Sequence, residues 1–223
     1  MILHINCFCT TGIQPNPINV VSIHLATVQE SIVVKGKFQG KWDSRKGPCP
    51  NIDFIFIIIN TKLEQRWTAY KQTLQNQTIE EHYHGTRLAC DITSVQALCN
   101  DQDCGICGIA STGLDRRCVY KNVTFQRFGH GFYLTPNSSK CHDFTQGYNN
   151  YRAMLLCDVC PGNKYFLQRN NETLRGRPQG FDCEYGSVGA NLNYEEIALY
   201  NPDAILPRYI IVYQKDGVKK IVR

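Results

Sequence analysis

The sequence predicts a single domain of the α+β class, richer in strands than in helices. At 223 residues, with 43% hydrophobic and 19% charged residues, the chain is long enough to fold around one sizeable core. Apolar runs at 54–59, 154–159 and 209–213 have the length and composition of buried strands. Only residues 61–74 show clear helical spacing of apolar side chains.

The segment before residue 51 carries the weakest signals. Pro15 and Pro17 break any helix near its start, and we expect residues 1–50 to be a lead-in of unknown role. Within it, residues 31–41 alternate enough to predict a strand, and the cluster at 46–50 predicts a turn.

A buried strand and an amphipathic helix come next. The apolar run 54–59 is closed by Asp53 and Asn60 and falls far short of the ~20 residues that span a membrane. Four large residues of the following segment recur at i, i+4, i+7 and i+11 and therefore share one helical face: Leu63, Trp67, Tyr70 and Leu74. This pattern is typical of a helix packed on a core.

Cysteines cluster between residues 90 and 118. Cys104 and Cys107 form a C-x-x-C pair, whose two thiolates can bind one tetrahedral zinc ion. Cys90 and Cys99 can complete a set of four sulfur ligands, and Cys118 lies further on. The alternative interpretation, buried apolar thiols without metal, stays open. Cys157 and Cys160 have the same spacing along a predicted strand and its end, and we expect them in the core.

Cysteine use and the first residues bear on the compartment. Residues 1–7 lack a basic region followed by a long apolar core, so no secretory signal is predicted. We therefore expect an intracellular protein whose 12 cysteines are reduced. The glycosylation sequons carry no weight in that setting; they begin at Asn76, Asn122, Asn137 and Asn171.

The second half alternates strands with turns. Residues 129–133 predict a strand whose glycines let a flat ring approach the backbone. Residues 137–144 predict a turn entering a helix, and 178–182 predict a turn. Strands at 196–200 and 209–213 then end the fold, before a basic tail.

Three short motifs follow one another along the chain, and their order is informative. They are Glu81-His82-Tyr83-His84-Gly85-Thr86, the segment 127–133 (RFGHGFY), and 193–200 (NYEEIALY). With the blocks between them they resemble the His-Tyr-Glu ADP-ribosyltransferases of the poly(ADP-ribose) polymerase type, which share the diphtheria-toxin-like catalytic fold, and most closely the tankyrase-like branch. The resemblance runs from about Ile55 to Gln214. It implies a catalytic domain over 51–223 with a Cys-rich insertion at 90–118, built from two packed, mostly antiparallel sheets with an NAD cleft between them.

The resemblance also assigns roles. His84 would bond the adenosine ribose, Gly85 would bond the nicotinamide carboxamide through its backbone, and Thr86 would complete the donor-binding motif. Tyr133 and Phe144 would sandwich the nicotinamide ring. Glu196, rather than its neighbour Glu195, would accept from the nicotinamide-ribose hydroxyl and act as the catalytic carboxylate. Cations before the glycine-rich strand would face the pyrophosphate or simply be solvated: Arg116, Arg117, Lys121 and Arg127.

One position departs from the family pattern. The serine that binds nicotinamide in the family corresponds to Cys141, a weaker hydrogen-bond donor. We expect nicotinamide binding to be weaker by about 0.5–1.5 kcal/mol, unless Ser139 substitutes. The zinc of tankyrases lies at a different point in the chain, so the resemblance does not extend to the four cysteines.

The predicted activity is NAD-dependent transfer of ADP-ribose, as single units or polymer, to protein acceptors including the enzyme itself, with release of nicotinamide. The sequence before His84 is short and strand-rich where the family's autoinhibitory helical domain would stand, so we expect an open site. Two alternatives remain. One is a catalytically weak NAD or ADP-ribose binder. The other is a zinc-bearing nucleic-acid module, although a net charge of +5 is too diffuse to support it.

Overall fold

A computed structural model describes residues 19–118, 127–167, 169–170, 176–189 and 192–214. Its strands are β1 (Val21–Leu25), β2 (Ile52–Asn60), β3 (Glu80–Gly85), β4 (Phe132–Leu134), β5 (Tyr151–Val159), β6 (Lys164–Leu167), β7 (Cys183–Gly186), β8 (Glu196–Leu199) and β9 (Ile205–Gln214). Its helices are α1 (Val28–Gly40), α2 (Thr61–Thr73), α3 (Ile92–Val95), α4 (Gly105–Thr112) and α5 (Ser138–His142). None of these helices is long and apolar enough to cross a membrane.

The strands form two sheets. The first has the order β1-β2-β9-β5-β3 and is antiparallel throughout. The second has the order β4-β8-β7-β6, in which only β6 and β7 run parallel. Two mostly antiparallel sheets with a few helices confirm the predicted α+β class.

Two layers of apolar side chains hold the elements together. The main core joins the sheets, with Phe56, Leu155 and Ile210 from the first in one cluster with Ile197 and Leu199 from the second. All five residues are fully buried. Burying each side chain stabilises the fold by about 1.5–3 kcal/mol. On the opposite face of the first sheet, α1 covers a second cluster that includes Phe38, Met154 and Tyr213.

The strand predicted over 31–41 is wrong, because this segment forms α1. Thr27 and Glu30 make a capping box: the Thr27 hydroxyl accepts from the Glu30 N–H, and the Glu30 carboxylate accepts from the Thr27 N–H. Val34 and Phe38, four residues apart, form the buried face. Apolar residues on the exposed side, such as Ile32 at 60% exposure, obscured this helical spacing. The segment expected to be a lead-in thus supplies α1 and the edge strand β1.

The predicted strand and helix at 54–74 are confirmed as β2 and α2. Asn60 ends the strand and caps the helix, because its Oδ1 accepts from the Leu63 N–H at 3.1 Å. Its amide also donates to the carbonyl oxygens of Ala110 and Ser111, at 3.0 and 2.8 Å. Leu63, Trp67, Tyr70 and Leu74 pack together as the predicted face.

Candidate active site

The two sheets meet where β3 and β4 touch. The Tyr83 N–H donates to the Thr135 carbonyl at 2.7 Å, and the Thr135 N–H donates back to the Tyr83 carbonyl at 3.1 Å. This bridge brings the end of β3 beside the start of the second sheet. It places His84 and Gly85 near β4, which carries Tyr133, and β4 pairs with β8, which begins at Glu196.

His84 is oriented by a backbone group of the opposite sheet. Its Nδ1 lies 3.0 Å from the Tyr133 carbonyl oxygen. A carbonyl can only accept, so Nδ1 carries the proton and Nε2 keeps a free lone pair. Burial lowers the pKa of His84, partly offset by the bond to Tyr133. A neutral imidazole with an acceptor nitrogen suits contact with a sugar hydroxyl.

Gly85 permits a close approach between β3 and the turn after α5. A Cβ on Gly85 would lie 2.5 Å from the Cys141 carbonyl oxygen and 3.0 Å from Phe144 Cβ. Any side chain would push this turn away. Because only glycine fits, Phe144 lies directly beside the end of β3, where its ring is 48% exposed.

Tyr133 anchors a loop as well as presenting a ring. Its hydroxyl accepts from the Phe128 N–H at 2.7 Å and donates to the Gly129 carbonyl at 2.9 Å. Its ring stacks on Phe128, with centroids 6.3 Å apart and planes 8° from parallel. Burial raises the pKa of Tyr133, so its hydroxyl stays protonated at neutral pH.

Glu196 opens β8 on the same face as Tyr133. Tyr133 is paired with Ala198, and side chains two residues apart on a strand point to the same side. Glu196 is 8% exposed, and two cations flank its carboxylate: Lys140 Nζ at 3.2 Å and Arg127 Nε at 3.6 Å. These ion pairs fix the position of a carboxylate that burial alone would disfavour.

Sequence reasoning missed Lys140 at this site and assigned Arg127 elsewhere. Lys140 Nζ also lies 4.9 Å from the centre of the Phe144 ring, so it connects the carboxylate to the expected stacking residue. Arg127 was expected to face the pyrophosphate or to be solvated, and it contacts Glu196 and Asn170. No local pattern could have revealed these contacts, since Glu196 lies in a distant strand.

The other cations of this region are engaged nearby. Arg116 donates to the Tyr200 carbonyl, and Arg117 pairs with Asp115. Lys121 lies outside the described residues.

Cys141 and Ser139 lie in α5, and the Cys141 backbone is close to Gly85 at the end of β3. Cys141 is 1% exposed and packs in the second cluster, and this burial raises its thiol pKa well above the ordinary value. Ser139 is fully buried; its hydroxyl donates to Asn137 Oδ1 at 2.7 Å and accepts from the Asp43 N–H at 3.1 Å. Both bonding roles of Ser139 are thus used within the protein.

The four cysteines expected to bind zinc come together. The sulfur atoms of Cys90, Cys99, Cys104 and Cys107 all lie within 4.8 Å of one another. The Cys90–Cys107 and Cys90–Cys104 separations are 3.6 and 3.8 Å. Hydrogen bonding from Cys107 lowers the thiol pKa of Cys104, whereas burial raises that of Cys90. The Cys118 side chain lies outside the described residues, and Cys157 and Cys160 are core residues, as predicted.

Comparison with known families agrees with this geometry. The family model of the poly(ADP-ribose) polymerase catalytic domain matches residues 33–190, which is well over half of the 223-residue chain. The matched range contains His84, Gly85 and Tyr133, and Glu196 follows shortly after it. The chain belongs to the poly(ADP-ribose) polymerase catalytic-domain family.

Proposed function

We propose that this protein is an NAD-dependent ADP-ribosyltransferase that releases nicotinamide and transfers ADP-ribose to protein acceptors, itself included. Family membership implies ADP-ribosyl transfer from NAD as the general activity. The observation that supports the proposal for this chain is the contact of His84 Nδ1 with the Tyr133 carbonyl, together with the pairing of β4 with β8, which begins at Glu196.

NAD, the donor of ADP-ribose, would bind along the end of β3. His84 Nε2 is free to accept from an adenosine-ribose hydroxyl, because Nδ1 is held by Tyr133. The Gly85 backbone would meet the nicotinamide carboxamide, with the ring between Tyr133 and Phe144. The half-exposed Phe144 ring supports this placement. Thr86, the next residue after Gly85, would also line the NAD site.

Glu196 would act at the reacting sugar. When the bond between nicotinamide and ribose breaks, nicotinamide leaves with the electron pair and positive charge develops on the ribose. A carboxylate that accepts from the ribose 2′-hydroxyl stabilises that charge. An acceptor nucleophile then bonds to the anomeric carbon, and its proton can pass to Glu196. Lys140 and Arg127 would keep the carboxylate in position through both steps.

Three finer assignments belong to the same proposal. The block 127–140 supports a place in the tankyrase-like branch. The four-cysteine cluster would need reduced thiols to bind a metal, which supports a reducing, intracellular location. Cys141 in place of the family's serine would weaken nicotinamide binding, and the buried Ser139 cannot compensate without breaking its own bonds.

We also propose that the four-cysteine cluster binds one zinc ion. Tetrahedral zinc with bonds of about 2.3 Å to sulfur separates its ligands by about 3.8 Å. The separations of 3.6 and 3.8 Å from Cys90 fit this geometry. The cluster also uses the thiolate ligands that structural zinc prefers.

The test is incubation of the purified protein with labelled NAD, with and without a protein extract, for wild type and Glu196→Gln. We expect nicotinamide release and label on protein, both reduced by about 10²–10³-fold in the variant. Glu195→Gln is the matched control, since it changes the adjacent carboxylate and should retain activity. Gel mobility of labelled products separates single units from polymer.

NAD binding without turnover in wild type would contradict the proposed transferase activity. The protein would then be a domain that binds NAD or ADP-ribose without catalysis. Equal turnover in wild type and Glu196→Gln would remove Glu196 from the mechanism.

A further inference from the structure

We infer that the four-cysteine cluster positions Thr86, and with it the NAD-binding end of β3, so that NAD affinity depends on the bound metal. This inference rests on the proposed function and adds a positioning role for the metal centre. It is supported by a continuous set of contacts from Cys90 and Cys104 to the end of β3.

The first contacts connect Cys90 and Cys104 to the end of β3. Residues 86–90 run directly from the end of β3 to the ligand Cys90. Along this segment the Ala89 N–H donates to the Cys104 sulfur at 3.4 Å, and the Ile106 N–H donates to the Arg87 carbonyl at 3.1 Å. The segment that joins Gly85 to Cys90 is therefore short, and it is hydrogen-bonded to Cys104 and to Ile106 of α4.

The closest contact is between Thr86 and Gly105. A Cβ on Gly105 would lie 2.2 Å from Thr86 Oγ1, 3.0 Å from Cγ2 and 3.1 Å from Cβ. Rotation of the threonine side chain cannot relieve all three contacts, since its own Cβ is involved. Gly105 lies between the ligands Cys104 and Cys107 in sequence, so the position of the cluster determines the position of Thr86.

The same segment also bonds to the chain that follows α5. The Gln146 N–H donates to the Thr86 carbonyl at 3.2 Å, and the Leu88 N–H donates to the Gln146 carbonyl at 2.8 Å. Gln146 closely follows Phe144, which contacts Gly85. A shift at residues 86–88 would therefore move both Gly85 and Phe144.

A bound metal would add to the core contacts and hydrogen bonds that hold this arrangement. Helix α4 has no side-chain cap at Cys104, and α3 is only four residues long, so local helix stability contributes little. Four sulfur–metal bonds would fix Cys90, Cys99, Cys104 and Cys107 relative to one another. Cys90 also lines a surface cleft of about 300 Å³, so one member of the cluster lies next to solvent.

The first experiment measures metal content and NAD affinity in the same samples. Wild type purified with zinc should hold one ion per chain. Chelation should weaken NAD binding, followed by calorimetry, by about tenfold or more, and added zinc should restore it. Cys99→Ser should reproduce the chelated state. Cys49→Ser, a partly buried cysteine outside the cluster, should behave as wild type.

A second pair of variants separates positioning from folding. Gly105→Ala keeps all four cysteines but places a methyl group against Thr86, and should retain zinc while losing about tenfold in NAD affinity. Gly108→Ala lies in the same helix with no atom within 4 Å of the added methyl group, and should retain both. Circular dichroism checks that each variant is folded.

The outcomes distinguish this inference from the proposed function. Unchanged NAD affinity in folded, metal-free wild type, or in Gly105→Ala, would overturn the inference. Zinc absent from folded wild type after saturation would also overturn it. If zinc-loaded wild type and Gly108→Ala both fail to bind NAD, the proposed function itself is wrong.

Discussion

At the scale of single residues, Glu184 is the most unusual carboxylate of the fold. It is fully buried on β7, and its polar neighbour is the Tyr200 hydroxyl. It pairs with Ala198, which pairs with Tyr133, so it lies on the same sheet face as the proposed site. Burial raises the pKa of Glu184 to about 7. The carboxyl is therefore largely protonated in the folded protein at slightly acidic pH.

Glu184→Gln should change how stability depends on pH. Between the ordinary value of 4.5 and about 7, the folded wild type binds more protons than the unfolded chain, so its unfolding free energy falls as pH rises. The variant has no carboxyl at this position, so its unfolding free energy does not fall in this way. Relative to wild type, its unfolding free energy should rise by on the order of 2 kcal/mol between about pH 5 and about pH 8. Denaturant unfolding at each pH measures it. The exposed Glu64→Gln should show no such trend, and parallel profiles for Glu184→Gln and wild type would contradict the prediction.

The Tyr133 hydroxyl gives a second prediction at this scale. Tyr133→Phe keeps the ring but removes two hydrogen bonds to the loop that carries Arg127 and Phe128. We expect the unfolding free energy to fall by about 1–3 kcal/mol, measured by urea titration. Tyr165→Phe, on a partly exposed ring, is the control. A loss no larger than in the control would mean that these bonds do not stabilise the loop.

At the scale of elements, α1 supports the site from behind. The buried Ser138 hydroxyl of α5 donates to the Phe38 carbonyl of α1 at 2.7 Å. Helix α5 in turn carries Lys140, which contacts Glu196. The stability of α1 thus bears on the position of a residue in the proposed active site.

Thr27→Ala should destabilise α1 by removing half of its capping box. The expected cost is about 1 kcal/mol of unfolding free energy, seen in thermal or chemical unfolding. Glu30→Gln, which retains an acceptor oxygen for the Thr27 N–H, should cost less. An equal effect of both changes would point to the charge near the helix N-terminus rather than to the cap geometry.

At the scale of the whole molecule, the cysteine-rich segment is part of the main core. Cys104, Ile106, Cys107 and Ala110 are buried in the same cluster as Phe56 and Ile210. Asn60 of β2 also donates to the end of α4. The four-cysteine cluster and the two sheets therefore share one set of contacts and should unfold together.

Heating the zinc-loaded protein should release zinc and change tryptophan fluorescence at the same temperature. The chain's two tryptophans, Trp42 and Trp67, lie outside the cysteine-rich segment, so they report on the rest of the fold. A zinc-sensitive dye reports on the centre. Zinc release well below the fluorescence transition would show that the segment opens independently.

Much of the site could be predicted because its signals are local in sequence. The His84-Gly85 pair, Tyr133 after its glycines, and Glu196 before an apolar strand are recognisable from residue identity and order. The strand–helix junction at Asn60 and the apolar face of α2 follow from periodicity. The helix α1 could not be predicted in this way, because its buried face consists of only two residues, Val34 and Phe38, and its exposed face is also apolar.

The sequence by itself determined the class of fold, the family resemblance and the identity of the proposed catalytic residues and metal ligands. Only the tertiary structure decided that Lys140 and Arg127 flank Glu196, that Glu184 is buried beside Tyr200, and that Thr86 lies against Gly105. Each of these contacts joins residues from different elements. Their distances depend on how the sheets and helices pack, which no local propensity or spacing specifies.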